Sequence, residues 1–175
     1  ETGVVIWAEG DGLGVTEGEG GTDRLGLNPS PVLVIWTAPP GPDELAQAVQ
    51  SVNPDEVYLF AFEPTTDVLR VFIERLSGMV KHDLQTRGGR VNIRRLAAAL
   101  GHREVTARVG LEWLEALGKL RVVTADEDAW TLQAGGEPSP DSQEVQSRLQ
   151  HLLDETAAYR RHFRCAPVEI LGISG

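Results

Sequence analysis

The most constraining feature of this sequence is a succession of periodic segments between residues 66 and 132. Apolar residues recur at three- and four-residue spacing over residues 69–80, which predicts an amphipathic helix. Thr66 is the expected N-cap of that helix, and Asp67 is an acidic residue suited to its first turn. The pair Gly88 and Gly89 ends the pattern, because glycine interrupts helices.

The segments after these glycines alternate between strand and helix patterns. They predict a short strand, two helices separated by a tight turn at Gly101, and two strands joined by an acidic tip at residues 126–128. The expected ranges are 90–92, 93–100, 104–117, 120–124 and 129–132. The whole order is therefore helix, strand, helix, turn, helix and hairpin.

This order is typical of a winged helix-turn-helix domain. The stretch LEWLEALGKL, residues 111–120, resembles the end of the third helix and the entry to the wing in winged-helix proteins. We predict such a domain over residues 65–134.

The residues before this domain predict a small α/β unit over residues 1–64. Apolar runs at 4–8, 32–36 and 57–62 read as strands, and residues 43–51 as a helix between the last two. The two later runs are apolar on both faces, as in a parallel βαβ sheet covered by helices. The triplet Val-Ile-Trp occurs at residues 5–7 and again at 34–36, which suggests neighbouring strands.

The segment between the first two strands, residues 9–31, is rich in Gly, Asp and Glu and nearly lacks large apolar residues. It has little to bury, and we expect a mobile loop. Gly12 and Gly14 suggest a nucleotide-binding loop, but Glu17 stands where a third glycine is needed and would repel a phosphate. We expect no phosphate site in this loop.

The last segment, residues 135–175, begins with a linker of Gly, Pro and Ser and continues as a long helix over about 141–164. Its apolar residues alternate at four- and three-residue spacing for less than three heptads. Packing against the rest of this chain is favoured over dimerisation through a coiled coil. The predicted fold class is thus α/β plus α+β: a parallel βαβ unit, a winged helix and a C-terminal helix.

Charge is unevenly distributed along the chain. The formal net charge is −10, yet residues 87–121 carry eight Lys and Arg against three Glu. Such a basic window can contact phosphates without reading sequence. Ion pairing with the acidic remainder of the chain is the alternative, and it is favoured. The candidate nucleic-acid contacts are Arg90, Arg94, Arg95, Arg103 and Arg121.

The third helix of the predicted winged helix is unsuited to reading a DNA groove. It has two apolar sides, one with Ala107 and Leu111 and the other with Val109 and Trp113, which predicts burial between two layers. Its remaining polar arc is formed by Glu104, Arg108, Glu112 and Glu115. Both this arc and the acidic tip at 126–128 would be repelled by phosphates.

Catalysis finds little support. The histidines are far apart in sequence and lack the spacing of a metal-binding motif, and we expect each on the surface: His82, His102, His151 and His162. The single cysteine, Cys165, excludes an internal disulfide and is expected to be a structural thiol near the end of the last helix. No catalytic or metal-binding residue is predicted. Neither a secretory signal nor an apolar run of about 20 residues is present, so we expect a cytoplasmic protein without membrane contact.

Three phrases carry a resemblance to a family. Residues 33–42 (LVIWTAPPGP), 57–60 (VYLF) and 154–164 (DETAAYRRHFR), together with the winged helix, resemble the C-terminal region of bacterial RecJ proteins over about residues 32–165. That family comprises 5′-to-3′ exonucleases specific for single-stranded DNA, acting in recombination and repair. They use Mn²⁺ or Mg²⁺ held by Asp and His residues of a DHH-type core, and none of those motifs occurs here.

The resemblance implies a non-catalytic accessory region of such a nuclease. It would serve as a scaffold, a docking surface or an auxiliary DNA contact, and its partners would be the rest of the parent protein, single-stranded DNA or a repair protein. The absence of an initial methionine also suggests a piece of a longer chain. The alternative is a fragment of a winged-helix transcriptional regulator whose α/β unit senses a ligand; the acidic wing and apolar third helix count against it.

Overall fold

The computed structural model describes residues 3–11 and 20–167. Over these residues the chain is mixed α/β, with five α-helices, a three-stranded parallel sheet and a three-stranded antiparallel sheet. The elements in chain order are β1 (Val4–Trp7), β2 (Val32–Thr37), α1 (Pro42–Val52), β3 (Glu56–Phe62), α2 (Leu69–Thr86), β4 (Arg90–Asn92), α3 (Ile93–Leu100), α4 (Glu104–Ala116), β5 (Leu120–Ala125), β6 (Ala129–Ala134) and α5 (Ser142–Cys165).

The parallel sheet has the order β1-β2-β3, and α1 connects β2 to β3. The two Val-Ile-Trp triplets do lie on neighbouring strands, as predicted, but they are offset by one residue. Trp7 stands opposite Ile35 rather than Trp36. Because side chains alternate between the faces of a strand, Trp7 is buried in the core while Trp36 lies on the opposite face of the sheet.

One face of this sheet packs on helices. Its core includes Leu33 and Ile35 from β2, Leu45 and Val52 from α1, and Phe163 from α5. The prediction that helices cover both faces was wrong for the described residues, since the other face exposes aromatic side chains of β3 to solvent. A strand whose second face is apolar but exposed has the same sequence pattern as a strand that is buried on both faces.

A second core lies between α2, α3, α4, the first half of α5 and the antiparallel sheet, whose order is β4-β6-β5. Phe72, Leu100, Leu111 and Leu132 are among its fully or almost fully buried residues. Since α5 also contributes Phe163 to the first core, this helix joins the two. The prediction that the last helix packs on its own chain is confirmed.

The start of α2 differs from the prediction. Thr66 is not its N-cap: residues Thr65–Asp67 form a 3-10 turn, and α2 begins at Leu69 with Val68 in the capping position and no side-chain cap. Thr66 is fully buried, and the Asp67 carboxylate is bonded to residues distant in sequence. Contacts with residues distant in sequence, and not capping by Thr66, therefore set where α2 begins.

The segment between β1 and β2 is more ordered than predicted where it is described. Glu9 is 2% exposed, and its carboxylate accepts hydrogen bonds from Trp7 Nε1 at 2.8 Å and from the Arg24 backbone at 3.0 Å. Hydrogen bonds of polar side chains therefore hold this segment in place, although it has few apolar side chains to bury. Residues 12–19, which include Gly12, Gly14 and Glu17, lie outside the described part of the chain.

None of the described helices combines the length and apolar character needed to cross a membrane.

Candidate functional site

Four aromatic side chains cluster on the open face of the parallel sheet. Tyr58, Phe60 and Phe62 of β3 are each exposed by 52–55%, and Trp36 of β2 lies half-buried beside them. The Trp36 ring centroid is 5.1 Å from that of Phe60 and 4.9 Å from that of Phe62. These four residues are called the aromatic face below. Parallel sheets normally have both faces covered, so this is a surface of the kind that contacts another molecule.

A bulge in β3 brings the two phenylalanines to the same tryptophan. Ile35 pairs with Leu59, but Thr37 pairs with Phe62, so β3 has one more residue than β2 at this point. Ala61 takes up the extra residue with φ of 52°, a left-handed conformation that is costly for alanine. The backbone is thus strained at Ala61, between the two residues that carry the exposed rings of Phe60 and Phe62.

The charge around the aromatic face is acidic. Residues 1–64 contain eleven Asp and Glu residues and one basic residue, Arg24, which gives that unit a formal net charge of −10. Arg24 is itself bound to Glu9. At the edge of the face, Glu56 accepts a hydrogen bond from the Tyr58 hydroxyl at 3.0 Å, and Glu63 pairs with Arg164 at 3.1 Å. Aromatic rings can stack on bases, but this field repels a phosphate backbone.

The five arginines predicted to contact nucleic acid do not form one site. Arg94 pairs with Glu104 at 3.7 Å, and Arg103 pairs with Glu155 at 2.7 Å. Both line a groove that also contains Asp43 and Glu44, so their charge is largely compensated.

The other three predicted arginines are less engaged. Arg90 and Arg121 project from the outer face of the antiparallel sheet, where their Cα partners in β6 are Thr131 and Gln133. Arg121 donates to the Gln133 side chain at 2.9 Å. Arg95 lies in a different groove, between α2 and α3. In the described residues neither Arg90 nor Arg95 has an ion-pair partner.

The third helix of the predicted winged helix, α4, is buried on two sides as expected over most of its length, but Val105 in its first turn is 43% exposed. Ala107, Val109, Leu111 and Leu114 are all at most 5% exposed, and α4 packs against α2, α3 and α5. The polar side chains of its exposed arc are paired with other groups of the same chain. Glu104 binds Arg108, Glu112 binds Arg148 of α5, and Glu115 accepts the Val122 backbone N–H.

A buried polar network, not predicted from the sequence, lies where the two cores meet. The Arg160 guanidinium of α5 binds the Asp67 carboxylate, the Gly101 carbonyl and, at 3.0 Å, the Ala38 carbonyl. Arg24 binds both Glu9 and the His102 carbonyl, the latter at 3.0 Å. These contacts connect the parallel sheet, the turn between α3 and α4, and α5.

The prediction of surface histidines was wrong for His102, which is fully buried, and right for the exposed His82, His151 and His162. His102 Nε2 lies 3.0 Å from the Thr66 carbonyl and 3.3 Å from Asp67 Oδ1. Burial lowers the pKa of His102 below its ordinary value, the Asp67 hydrogen bond opposes that shift, and the Arg160 charge adds to it. A neutral, enclosed imidazole of this kind holds the fold together and offers no access to a substrate.

One sequence signal for this network exists. Along α5 the buried positions are Leu149, Leu153, Thr156, Arg160 and Phe163, which follow one helical face. An arginine on the apolar face of a helix therefore indicates a buried partner. His102 had no such signal, because its burial depends on the turn that carries it. Cys165 is free and exposed at the end of α5.

The described residues contain no group of three or more His, Cys, Asp and Glu side chains arranged to hold a metal ion. Comparison with protein-family models, with curated proteins and with solved structures found no match to this chain.

Proposed function

We propose that this chain is a non-catalytic docking module of a cytoplasmic RecJ-like 5′-to-3′ exonuclease of DNA repair and recombination. In this proposal the aromatic face binds the rest of the parent enzyme. The observation that carries the docking role is the uncovered aromatic side of a parallel sheet, since such sheets reach their stable form with layers on both faces. The RecJ assignment rests on the sequence resemblance of residues 32–165.

The occupant we assign to the aromatic face is a helical surface with an apolar ridge and flanking Lys or Arg residues. Helices are the usual second layer on a parallel sheet. Basic flanks are expected because the α/β unit has a net charge of −10, and complementary charges align partners and speed their encounter. The three exposed rings of β3 would be the contact centre, as aromatic residues dominate interface energetics.

The segment from α2 to β6 would be a winged helix used as a scaffold. Its order of elements and its β4-β6-β5 sheet agree with such a domain. In this role α4 packs against α5 instead of entering a groove, and the polar arc of α4 is already paired within the chain.

The reading frame that contains this sequence gives the first test: it should also encode a DHH-type core. The second test is binding between this purified chain and that core, prepared as separate proteins, by sedimentation velocity. The double variant Phe60→Ser, Phe62→Ser should lose binding. Val68→Ser is the matched control, since Val68 is 58% exposed outside the aromatic face.

Absence of a DHH core from the reading frame would contradict the RecJ assignment. Binding that survives the double variant, or self-association of this chain in place of binding, would contradict the assigned occupant. Circular dichroism of each variant separates a lost contact from a lost fold.

The proposal assigns the nuclease chemistry, with its Mn²⁺ or Mg²⁺, to the parent core. This chain alone should therefore not degrade labelled single-stranded DNA when Mn²⁺ is added. Metal-dependent degradation by a pure sample would contradict the non-catalytic role. Within the same proposal, the exposed Arg90 and Arg121 would make an auxiliary DNA contact.

A winged-helix transcriptional regulator remains the second candidate, and the order of elements from α2 to β6 is what favours it. It requires tight binding to one duplex sequence, with base contacts from α4. Val105 of α4 is apolar and 43% exposed. If α4 reads DNA, replacing Val105 would abolish binding to the duplex without loss of stability.

A further inference from the structure

A groove of about 560 Å³ lies between α2 and α3, and the docking proposal does not use it. Three arginines from three segments converge on it: Arg75 of α2, Arg87 after α2, and Arg95 of α3. The volume is within the range of small-molecule sites. Sequence spacing did not indicate this groove, because Arg75 lies outside the basic window and Arg94, the neighbour of Arg95, faces a different groove.

The positive charge of the groove is only partly used by the protein. Arg75 donates one hydrogen bond, to the Gly10 carbonyl at 3.0 Å, and a guanidinium has five N–H donors. Arg87 pairs with Asp83 at 3.5 Å, and Asp23 accepts the Leu25 backbone N–H at 2.9 Å. Arg95 has no ion-pair partner among the described residues. The two carboxylates of the groove are thus engaged, while donors of Arg75 and Arg95 are available.

The groove also has a flat apolar part. Leu96 and Met79 line it, and Gly78 in the middle of α2 leaves the helix backbone open, with no atom within 4 Å of where a Cβ would stand. A helix-interior glycine costs stability relative to alanine, and no packing contact requires one at this position. The space beside Gly78 is therefore open to another molecule.

We propose that this groove binds a phosphate group, through Arg75 and Arg95, with the attached nucleoside against Gly78 and Met79. Arginine forks match phosphate oxygens in pairs, and the apolar part suits a sugar or base. The phosphate belongs either to a free nucleotide or to a nucleic-acid strand, and both sources present the same chemistry to the groove.

The test is a titration of the full chain, followed by two-dimensional NMR, with inorganic phosphate, AMP and a short oligothymidylate as separate probes. We expect saturable shifts of the Gly78 and Arg95 amides with at least one probe. AMP without the oligonucleotide identifies a free nucleotide, and the oligonucleotide without AMP identifies a strand. Arg95→Gln should weaken binding about tenfold, the loss of one charge-assisted contact.

Arg94→Gln is the matched control, since it removes one neighbouring charge from α3 outside the groove and should leave binding unchanged. Gly78→Ala should weaken binding without lowering thermal stability. The proposal is overturned if no probe gives saturable shifts, or if Arg94→Gln and Arg95→Gln reduce binding equally, which would indicate diffuse attraction to a basic surface.

Discussion

Arg160 and Asp67 form a buried ion pair across 93 residues of sequence, and this pair lies at the junction of the two cores. Arg160 is fully buried and Asp67 is 14% exposed. The same guanidinium binds carbonyls of Ala38 and Gly101, so one side chain satisfies the end of β2, the turn after α3 and the start of α2. A charge can be this deeply buried only because each of the three guanidinium nitrogens has an acceptor.

Replacement of Arg160 by methionine should lower the free energy of unfolding by about 3 to 5 kcal/mol, because it leaves the Asp67 carboxylate and two carbonyls without their donor. Urea denaturation measures the change. Arg161→Met, at the adjacent exposed position, should alter the free energy by no more than about 0.5 kcal/mol. Adding Asp67→Leu to Arg160→Met should recover part of the loss, and a purely additive double variant would show that the pair is not coupled.

The buried His102 should make stability depend on pH. Its pKa is lowered in the folded protein from the ordinary value of 6.5, mainly by burial, so below pH 6.5 the unfolded state binds more protons than the folded state. The free energy of unfolding should therefore be fully retained above that pH and should fall below it, by up to about 1.4 kcal/mol per pH unit.

Denaturation at a series of pH values, for wild type and His102→Gln, measures this contribution as a difference in slope. Identical slopes between pH 5 and 6.5 would show that His102 is not the responsible group.

Two helical glycines should respond in opposite directions to alanine. A Cβ on Gly110 of α4 would lie 2.6 Å from Leu76 Cδ2 and 2.9 Å from Phe72 Cε1 of α2, so Gly110→Ala should cost about 1 to 3 kcal/mol by overpacking. Gly78 of α2 has open space, and Gly78→Ala should stabilise the protein by roughly 0.5 to 1 kcal/mol. Thermal melts compare the two. If Gly110→Ala did not lose stability, α2 and α4 would not be in the described contact; if Gly78→Ala did lose stability, the space at Gly78 would not be open.

Ala61 should tolerate glycine and reject a branched residue. With φ of 52°, Ala61→Gly should leave the free energy of unfolding unchanged or raise it by up to about 1 kcal/mol, because glycine adopts this conformation without strain. Ala61→Val should lower it by at least about 1 kcal/mol. Guanidinium denaturation measures both. Equal stability of the two variants would argue against the bulge.

The order and type of the helices and strands could be predicted from the amino-acid sequence. Apolar spacing located α2 and α5, the pair Gly88 and Gly89 located the end of α2, and short apolar runs located the strands of both sheets, since these signals depend on neighbours within one or two turns. The burial of α4 on two sides could also be predicted from the sequence, because two apolar sides of one helix need two packing partners.

The tertiary structure decided which face of the parallel sheet is covered, and how the polar residues pair. An apolar strand has the same sequence pattern whether its second face is buried or exposed. The exposure of the aromatic face could therefore not be predicted from the sequence of β3 alone. Glu9 and Arg160 appeared as ordinary polar residues of a loop and a helix, but their partners lie 15 and 93 residues away. Long-range ion pairs leave no periodic signal in a sequence; they depend on where folding places the partner, and the burial of each charge depends on that partner being there.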